Sequence, residues 1–221
     1  MVVLSTKELS KKQITLLDKK KFALVHADFI KIKTLNFSLD QINENLIFTS
    51  KNAVKSILKN KDVNSVTSKK CFCVGEKTKR FLEKNSFNVI DFASDAYSLA
   101  EKIIEKYFNQ KFTFFSGTIR KDILPKKLIE KGVFFNEIQV YKTVLQPKNI
   151  IIETNAILFF SPSAVESYLQ KNKINNQTCF CIGKTTAKAL EDISETSELN
   201  IVIASQPSIE SVIEEVIKYN N

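Results

Sequence analysis

Leu46-Ile-Phe-Thr-Ser-Lys-Asn-Ala-Val-Lys-Ser-Ile-Leu58 has a counterpart in Ile157-Leu-Phe-Phe-Ser-Pro-Ser-Ala-Val-Glu-Ser-Tyr-Leu169, 111 residues further on. Each stretch opens on a short apolar run closed by Thr or Ser, which suits a strand buried on both faces. Val54, Ile57 and Leu58 then fall at i, i+3 and i+4, one face of a helix. Val165, Tyr168 and Leu169 repeat that spacing in the copy. Asn52 and Ser163 hold equivalent places at the helix starts and are expected as N-caps, where a side-chain oxygen accepts a free backbone N–H.

The likeness extends outward from this core. Cys71-Phe-Cys-Val-Gly-Glu-Lys-Thr78 matches Cys179-Phe-Cys-Ile-Gly-Lys-Thr-Thr186 at an offset of 108, and Phe87 to Tyr107 returns as Leu199 to Tyr219 near 112. Such offsets are too long for a solenoid repeat and mean two similar domains, each about half the chain. Leu99, Ala100, Ile103, Ile104 and Tyr107 form an apolar helical stripe, echoed by Val212, Ile213, Val216 and Ile217. Strands alternating with helices give an α/β class with parallel, doubly wound sheets.

Composition agrees. The 221 residues are 43% hydrophobic and 26% charged, which excludes a disordered chain. No apolar run approaches the roughly 18 residues of a membrane span. Met1 to Ser5 is too short for a signal peptide, so a cytoplasmic protein is expected. With 33 Lys+Arg against 24 Asp+Glu the net charge is +9, which favours anionic partners without naming one. The lysines are scattered over polar helix faces. Only Lys19-Lys20-Lys21 and Lys69-Lys70 cluster, and both read as loops, which argues against nucleic acid.

The cysteines form two Cys-Phe-Cys triplets. Residues i and i+2 of a strand share a face, so Cys71 and Cys73, and likewise Cys179 and Cys181, are expected as buried free thiols. Zinc spacing is absent and the single histidine, His26, reads as half-buried in a strand; no metal is expected.

Strand-to-helix turns gather at the C-terminal edge of a parallel sheet, where ligands bind. Thr49 to Asn52, Gly75 to Thr78, Ser116 to Arg120, Ser161 to Ser163 and Gly183 to Thr186 are such turns, rich in Ser, Thr and Gly. Gly75, Gly117 and Gly183 end strands and open helices, and Gly132 follows a helix from Leu124 to Lys131 as its C′ residue. Helix N-termini suit anions, although simple capping explains any one turn equally well. There is no GxGxxG, GxxxxGK[ST] or GxSxG, and no carboxylate pair placed for acid/base work. An enzyme built this way holds and steers a reactive substrate. Tyr141 stands on the polar phase of Ile138-Gln-Val-Tyr-Lys-Thr-Val144, as a proton donor or as an edge-strand packing residue.

Phe159-Phe-Ser-Pro-Ser-Ala-Val165, Cys181-Ile-Gly-Lys-Thr-Thr-Ala-Lys-Ala-Leu190 and Ala204-Ser-Gln-Pro-Ser208, in that order, resemble uroporphyrinogen-III synthase. Phe115-Ser-Gly-Thr-Ile-Arg-Lys-Asp-Ile-Leu124, Gly132 and Val140-Tyr-Lys-Thr143 are similar to the same family, and the resemblance covers nearly the whole chain. It implies two flavodoxin-like lobes joined by a two-stranded β-ladder. Lobe 1 would be 1–34 plus 147–221, lobe 2 would be 36–137, and the linker strands about 30–37 and 138–146. The implied activity is that of a hydro-lyase of haem biosynthesis, which cyclises hydroxymethylbilane to uroporphyrinogen III with inversion of the last pyrrole. No cofactor is implied. Tyr141 would assist loss of the hydroxyl. Ser50, Asn52, Ser116, Gly117 and Arg120 in one lobe, and Ser161, Ser163, Gly183, Thr185 and Thr186 in the other, would bind the substrate, a linear tetrapyrrole polycarboxylate.

The resemblance further implies a monomer that receives this substrate by hand-over from hydroxymethylbilane synthase and has no nucleic-acid or membrane partner. Three positions depart from the family pattern: Lys7 stands where Arg is frequent, and Lys51 and Lys184 where Pro is common. The alternative from another class is a non-catalytic bilobed module that binds an anion or regulates through it.

Overall fold

The chain leaves its first sheet, completes a second, and returns to finish the first. The computed structural model describes residues 1–18, 21–192 and 199–220. It opens with β1 (Val2–Ser5), α1 (Lys11–Asp18) and β2 (Ala23–His26), then crosses on β3 (Ile30–Thr34). The middle of the chain forms β4 (Asn45–Phe48), α2 (Lys51–Ile57), α3 (Asn64–Thr67), β5 (Lys70–Val74), α4 (Glu76–Lys84) and β6 (Asn88–Ala93). There follow α5 (Ala96–Lys106), β7 (Phe112–Gly117), α6 (Ile123–Glu130) and the long β8 (Phe135–Leu145). The last part is β9 (Ala156–Phe159), α7 (Pro162–Leu169), β10 (Thr178–Cys181), α8 (Lys184–Glu191), β11 (Ile201–Ile203) and α9 (Ile209–Tyr219).

Two units result: Met1–Lys31 with Val144–Asn221, and Ile32–Thr143. They are called lobe 1 and lobe 2. The division falls inside β3 and β8, against expected lobe limits of 34, 36, 137 and 147. β3 ends at Thr34, not near Phe37. β8 begins at Phe135 because its first half is a sheet strand beside β7 and only its second half lies beside β3. Leu35 N–H donates to Val140 O (3.0 Å) and Gln146 N–H to Phe29 O (2.8 Å), so β3 and β8 run antiparallel.

The lobe 1 sheet has the order β11-β10-β9-β1-β2, and lobe 2 has β3-β8-β7-β4-β5-β6. Apart from the β3–β8 ladder, every recorded pairing is parallel. The α/β, parallel-sheet reading of the sequence is therefore what the structure has. Setting β9, β10, β11 on β4, β5, β6 brings β1 and β2 onto β7 and β8. The lobes share one spatial plan, but the chain enters it at different points. In both, the strand order turns back between the first strand of the duplicated core and its neighbour: β4 and β7 in lobe 2, β9 and β1 in lobe 1.

The duplicated apolar runs form strands because helices cover both sheet faces. In lobe 2, side chains of α2 and α4 pack on one face with Leu46, Phe48 and Phe115, and those of α5 and α6 on the other with Ile47, Phe72 and Phe114. In lobe 1, α7 and α8 oppose α1 and α9 in the same way. Alternation splits each Cys-Phe-Cys triplet: Cys71 and Cys73 face one core and Phe72 the other, and Phe180 likewise parts from Cys179 and Cys181. All four thiols are fully buried and free, and burial pushes each up to about 12.

Some local expectations change. His26 ends β2 exposed, not half-buried, with Nδ1 accepting the Leu9 N–H. Lys70 opens β5 instead of lying in a loop, and Lys69 pairs with Glu44 at 2.6 Å. Lys19 and Lys20 lie outside the described residues. Among the described residues no helix is long and apolar enough to cross a membrane, and no cluster of His, Cys, Asp and Glu could hold a metal.

Candidate functional site

The crevice at the carboxyl ends of strands where the order reverses is the natural binding place in a doubly wound sheet. In lobe 2 it lies between the turns after β4 and β7, whose ends are paired Phe48 to Phe115. Ser50 lies on the first of these turns and Asn52 is the second residue of α2, while Ser116 and Gly117 end β7 and Arg120 lies on the turn that follows it. Ser50 is extended (φ −151°, ψ 140°) and its hydroxyl accepts the Asn52 N–H at 3.1 Å. The N-cap is therefore Ser50, not the expected Asn52. An accepting hydroxyl keeps its own O–H to donate.

Gly117 ends β7, but α6 starts only at Ile123, so this glycine does not open a helix directly. The reason for a glycine is Tyr141. A Cβ at Gly117 would lie 2.5 Å from Tyr141 Cζ, 2.6 Å from Cε2 and 2.8 Å from the hydroxyl oxygen. The ring thus lies against the bare Cα. Tyr141 is 9% exposed and belongs to the core containing Phe48, Phe115 and Val140.

That burial overturns the period-2 reading of β8. The β7–β8 register runs Phe115 to Ile138 and Ser116 to Gln139, then jumps to Gly117 opposite Tyr141. One residue of β8 is skipped. Such a bulge resets which face later side chains take, so Tyr141 joins Ile138 and Phe115 instead of the polar phase. Its hydroxyl makes no hydrogen bond to another described residue, and Thr118 N–H donates to its carbonyl at 3.0 Å.

Arg120 is engaged with carboxylates of its own lobe. Its Nε and Nη2 donate to Glu137 Oε1 and Oε2, each at 2.7 Å, and Nη1 donates to Asp122. The guanidinium and Glu137 side chains are 24% and 21% exposed. One cation thus faces two carboxylates, a local charge of −1, and the guanidinium is already engaged within the lobe. The forked bond from Arg120 holds the Glu137 carboxyl below the usual range, and Glu137 in turn raises the guanidinium further. Ser116 Oγ is buried and lies near the Glu137 carboxylate, which it helps Arg120 to hold below the usual range.

Lobe 1 repeats the arrangement between β9 and β1. Ser161 caps α7, its hydroxyl accepting the Ala164 N–H at 3.1 Å, with Pro162 as the first helical residue. Ser163, expected as the cap, sits one residue inside the helix. Across the reversal, Thr6 donates from both its backbone N–H and its hydroxyl to Leu158 O, at 3.1 and 2.7 Å. Thr6 is fully buried, ties β1 to β9, and carries Lys7 beside the crevice. Sequence reading missed this role, because nothing in the repeat puts the first strand next to β9. Gly183 caps α8 after β10, one strand away, and Thr185 and Thr186 lie in the first turn of that helix. Thr185 is exposed, whereas Thr186 is buried and offers no open side chain.

A model of the family described as uroporphyrinogen-III synthase HemD matches residues 12–214. The chain is 25% identical to uroporphyrinogen-III synthase of Saccharomyces cerevisiae, over 85% of this chain and 80% of that one. It is 29% identical to uncharacterized protein RP474 of Rickettsia prowazekii, over 80% of this chain and 64% of that protein. Among solved structures, uroporphyrinogen-III synthetase of Helicobacter pylori superposes with a TM-score of 0.76 at 20% identity, covering 98% of both chains. A mutant uroporphyrinogen III synthase of Thermus thermophilus gives 0.65 at 13% identity, over 99% of this chain and 98% of that one.

Proposed function

Because the chain belongs to the uroporphyrinogen-III synthase family, we propose that it converts hydroxymethylbilane into uroporphyrinogen III and water, as a hydro-lyase that inverts the last pyrrole ring. The observation that carries this reading is the Tyr141 phenol, unbonded to any described residue and set against Gly117 at the sheet reversal of lobe 2. In the proposed step the C–O bond of the hydroxymethyl group breaks and Tyr141 gives its proton to the leaving hydroxide, which departs as water. The pyrrole supplies the electron pair, and ring closure later returns a proton. No step is a net oxidation, so the chemistry asks for no redox cofactor.

The remaining work is positioning. The substrate carries eight carboxylates, and a net charge of +9 raises its local concentration. Ser50, Asn52, Ser116, Gly117, Ser161, Ser163, Gly183, Thr185 and Thr186 are proposed as its surroundings. The cap hydroxyls of Ser50 and Ser161 still have a proton to donate, and the buried Ser116 hydroxyl lies beside the Glu137 carboxylate. Thr186, buried and with its N–H bonded to Gly183 O at 3.0 Å, would stand behind the exposed Thr185. Arg120 is not among the anion donors. Lobe 1, with in-lobe order 2-1-3-4-5, is read as flavodoxin-like and lobe 2 as its circular permutant. The working form is proposed as a monomer acting on the product of hydroxymethylbilane synthase.

Incubation with freshly prepared hydroxymethylbilane, followed by isomer analysis, tests the reading. The type III isomer should form faster than spontaneous closure. Type I alone, at the spontaneous rate, would refute it.

A further inference from the structure

The forked Arg120–Glu137 pair sits where β7 and β8 fall out of step. Ser116 is paired with Gln139 and Gly117 with Tyr141, so one residue of β8 is passed over between them. A strand with such an irregularity has a nearby competing register. Closing the gap would bring Val140 opposite Gly117 and turn Tyr141 to the other face. Something must hold the two strands apart by that residue.

The turn from Gly117 to Arg120 does so from both sides. Beyond the bulge, Thr118 N–H is bonded to Tyr141 O at 3.0 Å. Before it, Arg120 grips both oxygens of Glu137 at 2.7 Å. Two parallel bonds from a rigid fork fix direction as well as distance. The phenol ring, laid on Gly117 Cα, is seated by whichever register this turn enforces.

We propose that Glu137 is a positioning residue for Tyr141, acting through Arg120 and the Gly117–Arg120 turn. The pair is a brace for the proton donor and not a receptor for substrate carboxylate. The inference rests on the role given to Tyr141 under the proposed function.

The test is a double-mutant cycle in the full chain with hydroxymethylbilane as substrate, comparing Glu137→Gln, Tyr141→Phe and the double variant. Glu137→Gln should lower kcat about tenfold with KM within about twofold, since small displacements of a reacting group are costly. In the Tyr141→Phe background the same change should cost less than about twofold, because the hydroxyl it positions is gone. A merely structural contribution would reduce kcat by the same factor in both backgrounds, and that outcome overturns the proposal. So does an unchanged kcat in Glu137→Gln. If Tyr141→Phe alone keeps full kcat, the role of the phenol fails and the inference with it; if Tyr141→Phe is slow but the effects multiply, only the inference fails. Should Glu137→Gln not fold, as judged by circular dichroism, Arg120→Lys takes its place in the cycle. It keeps the charge, loses the fork, and carries the same expectations.

Discussion

Tyr141 lies on Gly117 so closely that no other residue fits at position 117 with the ring in place. The backbone of Gly117 is outside the left-handed region, so the restriction comes from the ring alone. Gly117→Ala should therefore displace the phenol. A stability loss of about 1–3 kcal/mol is expected from overpacking, together with a fall in turnover comparable to that of Tyr141→Phe. Thermal melts and isomer-resolved assays on both variants check this. Wild-type turnover in Gly117→Ala would show that the ring contact is dispensable.

The two caps provide a test confined to helix starts. Ser50→Ala and Ser161→Ala each remove the acceptor of a first-turn N–H, a loss of about 1 kcal/mol. Asn52→Ala and Ser163→Ala, each at the second residue of its helix, should cost less than about 0.5 kcal/mol. Urea unfolding of the four variants reads the difference directly. Equal losses at positions 50 and 52 would return the cap to Asn52.

Those caps also show what the sequence could and could not convey. Buried parallel strands are apolar runs with little else in them, so the duplication and the α/β class were legible at once. Which of Ser50 and Asn52 caps α2 depends on which residue is extended, and both types suit a cap. The parity of Tyr141 was unreadable because a bulge is set by the neighbouring strand, not by the pattern of β8 itself. The Arg120–Glu137 pair spans a whole helix in sequence and exists only because β7 and β8 are neighbours. Thr6 escaped for the same kind of reason: the circular shift between the lobes hides the adjacency of β1 and β9.

The thiols should be silent in the folded protein. Cys71, Cys73, Cys179 and Cys181 are 0% exposed and pushed up to about 12 by burial. At pH 8 almost no thiolate is present and no reagent reaches the sulfur. Titration with a disulfide reagent should count no reactive thiol in native protein and all four cysteines after denaturation in guanidinium. Rapid reaction of even one native thiol would contradict the burial of its strand.

The Arg120–Glu137 brace predicts a pH dependence with a definite sign. Arg120 holds the folded-state pKa of Glu137 below its ordinary carboxylate value. Such a group stabilises the fold at pH values above the unfolded pKa, about 4.3. Below that value the unfolded chain takes up the proton first, and the contribution is lost as pH falls through the folded pKa. The stability gap between wild type and Glu137→Gln should be flat from pH 7 to about 5.5 and shrink steadily in more acid solution. With only a fifth to a quarter of either side chain exposed, added salt should narrow the gap little at neutral pH. Urea unfolding of the two proteins between pH 3 and 7 measures the gap. A difference independent of pH would mean that the carboxylate gains nothing from its guanidinium in the folded state, and the brace would then rest on packing alone.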